Sequence, residues 1–323
     1  MGFDAAYEAL TDHDDDARWA YGTGFADPLS GVDTAVPEGV DRGRLAQYCL
    51  MLGDDALIMS HRLQQWVTRA PELEDELALA NIGLDLLGQA RLLLARAGEV
   101  EAAGRDEDAL AYLREAGEFR NVCLAERADA DFAHLLARLL VFATWRLALF
   151  DRLAASRDPM LAAIAAKGVK ELTYHREWAA QWVVRLGDGT SVSHERMQAA
   201  LDAVGPLTGE LFRSHPVERD LVAGGIAVDP AGLRAEYDAV LDQVLAAATL
   251  SAAPGFGTVA GSATAGTGPA VAATDAAGAG AASGAGGAAP GAGGGRDGEH
   301  SPALAEILDE LQAVARSVPG GAW

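Results

Sequence analysis

Cysteine is nearly missing from these 323 residues, with Cys49 and Cys123 alone and far apart. That excludes a disulfide scaffold and fits a reducing compartment, the cytoplasm being the simplest address. Both cysteines fall on apolar helical faces and read as packing residues rather than nucleophiles. Positive charge is scarce too: 25 Lys and Arg stand against 47 Asp and Glu, for a formal charge of −22. No basic stripe interrupts that balance, so the phosphate backbone would repel the chain and a general nucleic-acid binder is excluded. An anionic membrane surface is disfavoured for the same reason. A small anionic ligand stays compatible, since a few local arginines act within a short screening length.

Other absences narrow the field further. The opening MGFDAAYEALTDHDDD lacks the basic region and apolar run of a secretory signal. The most apolar helical stretch, 132–150, contains His134, Arg138 and Arg146 and would make a poor membrane span. There is no Gly-x-Ser-x-Gly elbow, Walker loop, Cys-x-x-Cys or His-Glu-x-x-His. Strand-like alternation and fixed 20–50-residue repeats are also missing.

What is present is helical periodicity. Half the residues are apolar and mean hydropathy is +0.07, enough for a sizeable core. Residues 1–41 hold ten acids and one base, Arg18, and read as an acidic, mostly flexible extension. From Arg42 apolar residues recur at three and four. Long helices are expected before Pro71, then from Pro71 to about Val100 with Gly98 near its end, over 131–156, and from the Asp158-Pro159 start to the turn at 187–190. A shorter helix interrupted by Gly117 is expected over 106–126, and two weaker ones follow residue 190. The stretch ERDLVAGGIAVDP between those two reads as a loop with a short extended piece. Residues 251–295 are almost entirely Ala, Gly, Ser, Thr and Pro and read as a disordered linker. Their glycine doublets follow no strand and carry no dinucleotide signal. An amphipathic helix within 296–323 is expected to dock back on the body. The fold class is therefore all-α: an antiparallel four-helix bundle over 42–250 with additional peripheral helices.

Such bundles often house a di-iron centre, which needs one carboxylate from each of two helices and Glu-x-x-His from each of the other two. The first helix offers Asp54 and Asp55. The second has Asp85 mid-helix, but Gly88 and Gln89 follow it where an imidazole is needed. The third has Asp131 and His134 only at its start, where Asp131 reads better as an N-cap, and no acid at mid-height. The fourth has Glu171 with His175 at i+4. His61 has no acid three residues away. The set Asp54, Asp85, Glu171 and His175 is thus a degenerate site, and no metal is expected. A cluster of Asp85, Lys167, Lys170 and Glu171 would fill the vacant centre, because a buried charge must be paired.

Several strings go further: LGDDALIMSHRLQQW (52–66), APELEDELALANIGLDLLGQAR (70–91), GRDEDALAYLREAGEFRN (104–121), the long segment 156–190, LTGELF (207–212), GIAVDP (225–230), and GRDGEH (295–300) with the amphipathic helix after it. Together they resemble the small ferritin-like structural subunits of the ring 1,2-phenylacetyl-CoA epoxidases, a family of bacterial multicomponent oxygenases. The likeness covers 44–250 and 295–323. The acidic arm and the Gly/Ala segment fall outside the usual length. The resemblance implies that this chain is not itself catalytic and binds no cofactor of its own. A homologous catalytic subunit holds the di-iron centre, and a reductase with FAD and an iron–sulfur cluster delivers electrons from NADPH. With O2 the complex epoxidises the ring of phenylacetyl-CoA in aerobic phenylacetate catabolism. The resemblance also places the thioester near the boundary between subunits, at Glu118, Phe119, Arg120 and Asn121 and at Arg219, Asp220 and Leu221. Two other readings compete: a self-sufficient di-iron oxidase, and a helical adaptor that binds acyl-CoA or another protein.

Overall fold

The computed structural model describes residues 29–253, 255–256 and 294–318. Residues 1–28 of the expected acidic extension and 254 and 257–293 of the expected linker lie outside the described residues. The helices are α1 (Arg42–Gln64), α2 (Leu73–Glu101), α3 (Glu107–Tyr112), α4 (Cys123–Glu126), α5 (Phe132–Leu153), α6 (Pro159–Gly187), α7 (Ser191–Val204), α8 (Thr208–Leu211), α9 (Pro216–Val222), α10 (Arg234–Ala247) and α11 (Pro302–Ser317). No strand occurs among the described residues.

Short oxygen side chains start three of the four long helices. Asp41, Asp131 and Asp158 each accept a first-turn amide, from Arg44, His134 and Leu161 at 2.9, 3.0 and 2.9 Å. Pro159 supplies the pre-set φ at the start of α6. The acids Glu74, Asp75 and Glu76 crowd the first turn of α2, where the helix dipole favours them.

Contacts between the four long helices fix the topology. Arg42 reaches the Val100 carbonyl and Ser60 the Gly83 carbonyl (3.2 and 2.6 Å), so α1 and α2 run antiparallel. Arg146 reaches Leu52 and Arg138 reaches Met59, which sets α5 antiparallel to α1. Phe132 packs edge-on against Trp182 while Phe150 lies against Gly168, so α6 runs opposite to α5. Asp75 accepts from the Trp182 indole and Glu171 accepts from Gln89, setting α6 against α2. The ring is α1–α2–α6–α5 with every neighbour reversed. Because α2 and α5 point the same way, their connection, 102–131, must travel the length of the bundle.

That crossover departs from the single interrupted helix expected there. It breaks into α3, a tight turn over Ala116–Glu118 and the one-turn α4, with Phe119 and Val122 extended. The physical reason lies in α1. The amides of Arg120 and Val122 donate to Asp54 and Asp55, both at 2.8 Å, and a helical chain would spend those amides on itself.

Two further segments differ from expectation. The stretch before Gly224 is helical, as α9, because Pro216 follows His215 and the His215–Glu218 capping box satisfies the first turn. The acidic extension is docked from Leu29 onward: Leu29 is buried, Val32, Val36 and Val40 pack on the core, and Arg96 donates to the Thr34 carbonyl at 2.6 Å. The helix α11 lies against α1, α3 and α4.

Among the described residues two helices, α2 and α5, are by length and composition alone apolar enough to cross a membrane. For α5 the apolar window is 89% buried inside the bundle, whereas for α2 it is 50% buried. The uncovered half of α2 bears on function.

Candidate functional site

At mid-height the bundle is crossed by polar side chains rather than by apolar packing. On α1, Asp54 and Asp55 are fully buried. Asp54 is gripped by both terminal nitrogens of Arg114 and accepts the Arg120 amide. Asp55 is gripped by Arg296, at 3.0 and 2.7 Å, and accepts the Val122 amide. Each carboxylate thus has its charge and its lone pairs satisfied, as a buried ion pair requires.

On the opposite side Arg146 of α5 projects inward between the rings of Phe142 and Phe150, 5.7 and 4.3 Å from its guanidinium. It donates to Gln89 Oε1 at 3.0 Å and to the Leu52 carbonyl at 3.1 Å, and stands 4.0 Å from Asp55. Gln89 in turn donates to Glu171 Oε2 at 2.9 Å, and Glu171 is bound by Lys167 one turn before it. A continuous polar chain therefore runs Asp55, Arg146, Gln89, Glu171, Lys167 from one side of the bundle to the other. Burial pulls the Arg146 pKa down to about 10, against the opposing pull of Asp55, so it stays charged at neutral pH.

This arrangement does not fit a di-iron centre. A cation stands at mid-height of α5 where such a centre needs an anionic ligand. Asp54 and Asp55 are taken by arginines. Asp85 and His175 meet each other at 3.0 Å with no third ligand. No group of three or more His, Cys, Asp or Glu converges among the described residues.

The expected lysine–carboxylate cluster is formed only in part. Lys167 and Glu171 pair, but Asp85 turns to His175, Lys170 is exposed, and Gln89 and Arg146 complete the centre. The reason is reach. Asp85 lies one turn before Gln89 on α2 and faces outward enough to be part-exposed. Glu171 and His175 do not bond each other, since each has a partner on α2. His134 sits on its cap, Asp131, at 2.7 Å. Burial pushes both cysteine thiols up, which keeps Cys49 and Cys123 protonated.

Arg146, Gln89, Arg114 and Arg296 were not singled out by sequence reasoning. A signal existed for Arg146, an arginine flanked at i−4 and i+4 by phenylalanines in a mostly apolar helix. None existed for Arg114 or Arg296, which reach α1 from distant segments.

The seven residues implied as a thioester-binding set divide. Glu118 and Arg120 border an open cleft of about 580 Å3 between the start of α1, the end of α2 and the crossover, with Arg42, Arg105 and Arg114 also on its walls. The Arg120 guanidinium donates to the carbonyls of Gly117 and Phe119 at 2.8 and 2.7 Å. Phe119 is a core residue beneath Arg114, and Asn121 is buried against Glu126. Arg219, Asp220 and Leu221 do not line the cleft. Arg219 caps the Ser214 carbonyl, Asp220 pairs with Arg44 at 3.2 Å, and Leu221 is buried.

One exposed surface is apolar without an internal partner among the described residues. Leu73, Leu77, Leu84 and Leu87 of α2 are 65, 58, 59 and 43% exposed, and part-exposed Ala80 fills the gap in their spacing. The intervals 4, 3, 4, 3 form the a/d stripe of a helix that packs on another helix. Tyr174 on the adjacent α6 is also exposed.

Comparison with known proteins follows the same direction. The family model described as Phenylacetic acid catabolic protein matches residues 32–261. A relative from Escherichia coli (strain K12), named as a 1,2-phenylacetyl-CoA epoxidase subunit, is 47% identical over 208 residues, which span 64% of this chain and 84% of that protein. The chain belongs to the phenylacetic acid catabolic protein family.

Proposed function

We propose that this chain is the non-catalytic structural subunit of a multicomponent phenylacetyl-CoA epoxidase, acting in the cytoplasm to hold a homologous di-iron subunit in its active shape. In this reading the partner, not this chain, carries iron. A reductase with FAD and an iron–sulfur cluster passes electrons from NADPH, and O2 supplies the epoxide oxygen.

The observation that carries the reading is Arg146. Its guanidinium and the amide of Gln89 saturate the bundle's centre with donors, where dioxygen chemistry in this class of bundle needs anionic metal ligands. The naming of the Escherichia coli relative as one subunit of an epoxidase supports a place in an assembly. The leucine stripe on α2 supports a helical partner, since burying those side chains gains about 25 cal/mol per Å2 of apolar area. Arg120 on the cleft wall supports a charge-assisted contact to thioester phosphates at the subunit boundary.

Tagged chain co-expressed with the catalytic subunit is expected to bring that subunit down, with iron in the partner alone. Leu77→Glu with Leu84→Glu is expected to abolish the complex while leaving the chain's own melting temperature within about 2 °C, because both side chains are already solvent-facing. Stoichiometric iron in the purified lone chain would overturn the reading. Arg120→Ala is expected to weaken acyl-CoA binding by the complex, and unchanged affinity would remove Arg120 from the boundary site.

A further inference from the structure

The segment Gly295–His300 enters the bundle from outside and is gripped along its length. Gly295 lies so close to the crossover that a Cβ there would stand 2.0 Å from the Asn121 carbonyl oxygen. Arg296 plugs inward to Asp55 and also donates to the carbonyls of Met51 and Arg120 at 2.8 and 2.7 Å. Four residues on, His300 is nearly buried and stands between two acceptors. Its Nδ1 is 2.8 Å from Glu126 Oε2 and its Nε2 is 3.0 Å from the Phe119 carbonyl oxygen.

A carboxylate and a carbonyl have no proton to offer. Both contacts are hydrogen bonds only when His300 carries protons on both nitrogens. A neutral imidazole in either tautomer would turn one lone pair toward an acceptor at about 3 Å in a buried site. The other charged groups around the ring are accounted for. Glu126, on α4, is fully buried and also accepts from Asn121 and from the Ser301 amide. Asp54, on α1, is neutralised by Arg114. Arg62, on α1, donates to the carbonyls of Glu126 and Ala303 at 2.9 and 2.8 Å.

We propose that Gly295–Ser301 is a proton-dependent latch: with His300 as imidazolium it pins residues 117–126 to the bundle, and loss of that proton loosens both sides of the contact together. The loosened stretch includes Glu118 and Arg120, so the wall of the cleft becomes sensitive to pH. Burial alone would lower the His300 pKa, and the hydrogen bond to Glu126 with the Phe119 carbonyl outweighs it, leaving the pKa above its ordinary value. A folded-state pKa raised above the unfolded value of about 6.5 gives stabilisation that is complete below that pH. It is lost as pH rises through the folded value.

The test is amide hydrogen exchange on the full chain from about pH 6 to pH 9, corrected for intrinsic exchange, beside a histidine NMR titration. Protection of 117–126 and 295–301 is expected to fall about tenfold per pH unit above about 6.5 until the folded pKa is reached, while α5 and α6 stay flat. In His300→Gln the same amides are expected to be weakly protected at pH 6 and to show no such slope. Flat protection in the wild type, an equal loss in α5 and α6, or a His300 pKa at or below 6.5 would each overturn the latch. The titration decides on wild-type protein should the variant fail to fold.

Discussion

Truncating Arg146 to Met would leave Gln89 Oε1 without a donor in the middle of the bundle, would remove the second donor to the Leu52 carbonyl, and would take away one of the two cations near Asp55. Breaking a buried charged contact on one side costs about 3 kcal/mol, because the surviving partners keep their desolvation penalty. Urea unfolding of Arg146→Met is expected to show an unfolding free energy lowered by that amount. Arg146→Lys is expected to recover only part of it, since a single ammonium cannot reach Gln89 and Leu52 together. The same bookkeeping explains what could be read from residues alone. The sequence revealed that ligands were missing on α2 and α5, since Gly88, Gln89 and the acid-free middle of α5 are visible in one dimension. It did not reveal what replaces them, because Arg114 and Arg296 lie 60 and 241 residues from the aspartates they pair with.

Helix starts give a contrast at the next scale. Asp131 and Asp158 cap α5 and α6 in the same way, yet their surroundings differ. Asp131 is part-exposed and pairs with His134, whereas Asp158 is fully buried and accepts from Arg96 at 2.6 Å. Asp131→Ala is expected to cost about 1 kcal/mol, the ordinary value of a cap. Asp158→Ala is expected to cost about 3 kcal/mol by removing the buried counter-ion of Arg96, which keeps the solvent-exposed Glu99. Chemical denaturation of the two variants side by side measures the difference. The long helices were legible because their apolar spacing and their Asp or Asp-Pro starts are local signals. The crossover was not, since its extended residues answer to carboxylates on α1. Nor was α9, whose cap is a histidine rather than one of the usual short oxygen side chains.

For the molecule as a whole, a formal charge of −22 with a sequence pI near 4.6 sets a background of self-repulsion. Raising NaCl from about 10 to about 150 mM shortens the screening length from about 30 to about 8 Å. The melting temperature is therefore expected to rise over that range, as followed by circular dichroism. The charge also bears on assembly. The leucine stripe on α2 begins beside Glu72, Glu74 and Glu76, so a partner helix that brings basic residues to that end is favoured over another acidic surface.

Arg296 meets Asp55 only after 241 further residues have been made. A ribosome therefore releases the first helices long before their inner aspartate has its counter-ion. Nascent chains halted ahead of position 296 are expected to yield to protease across the first helix and the crossover, and to gain resistance once that arginine has emerged.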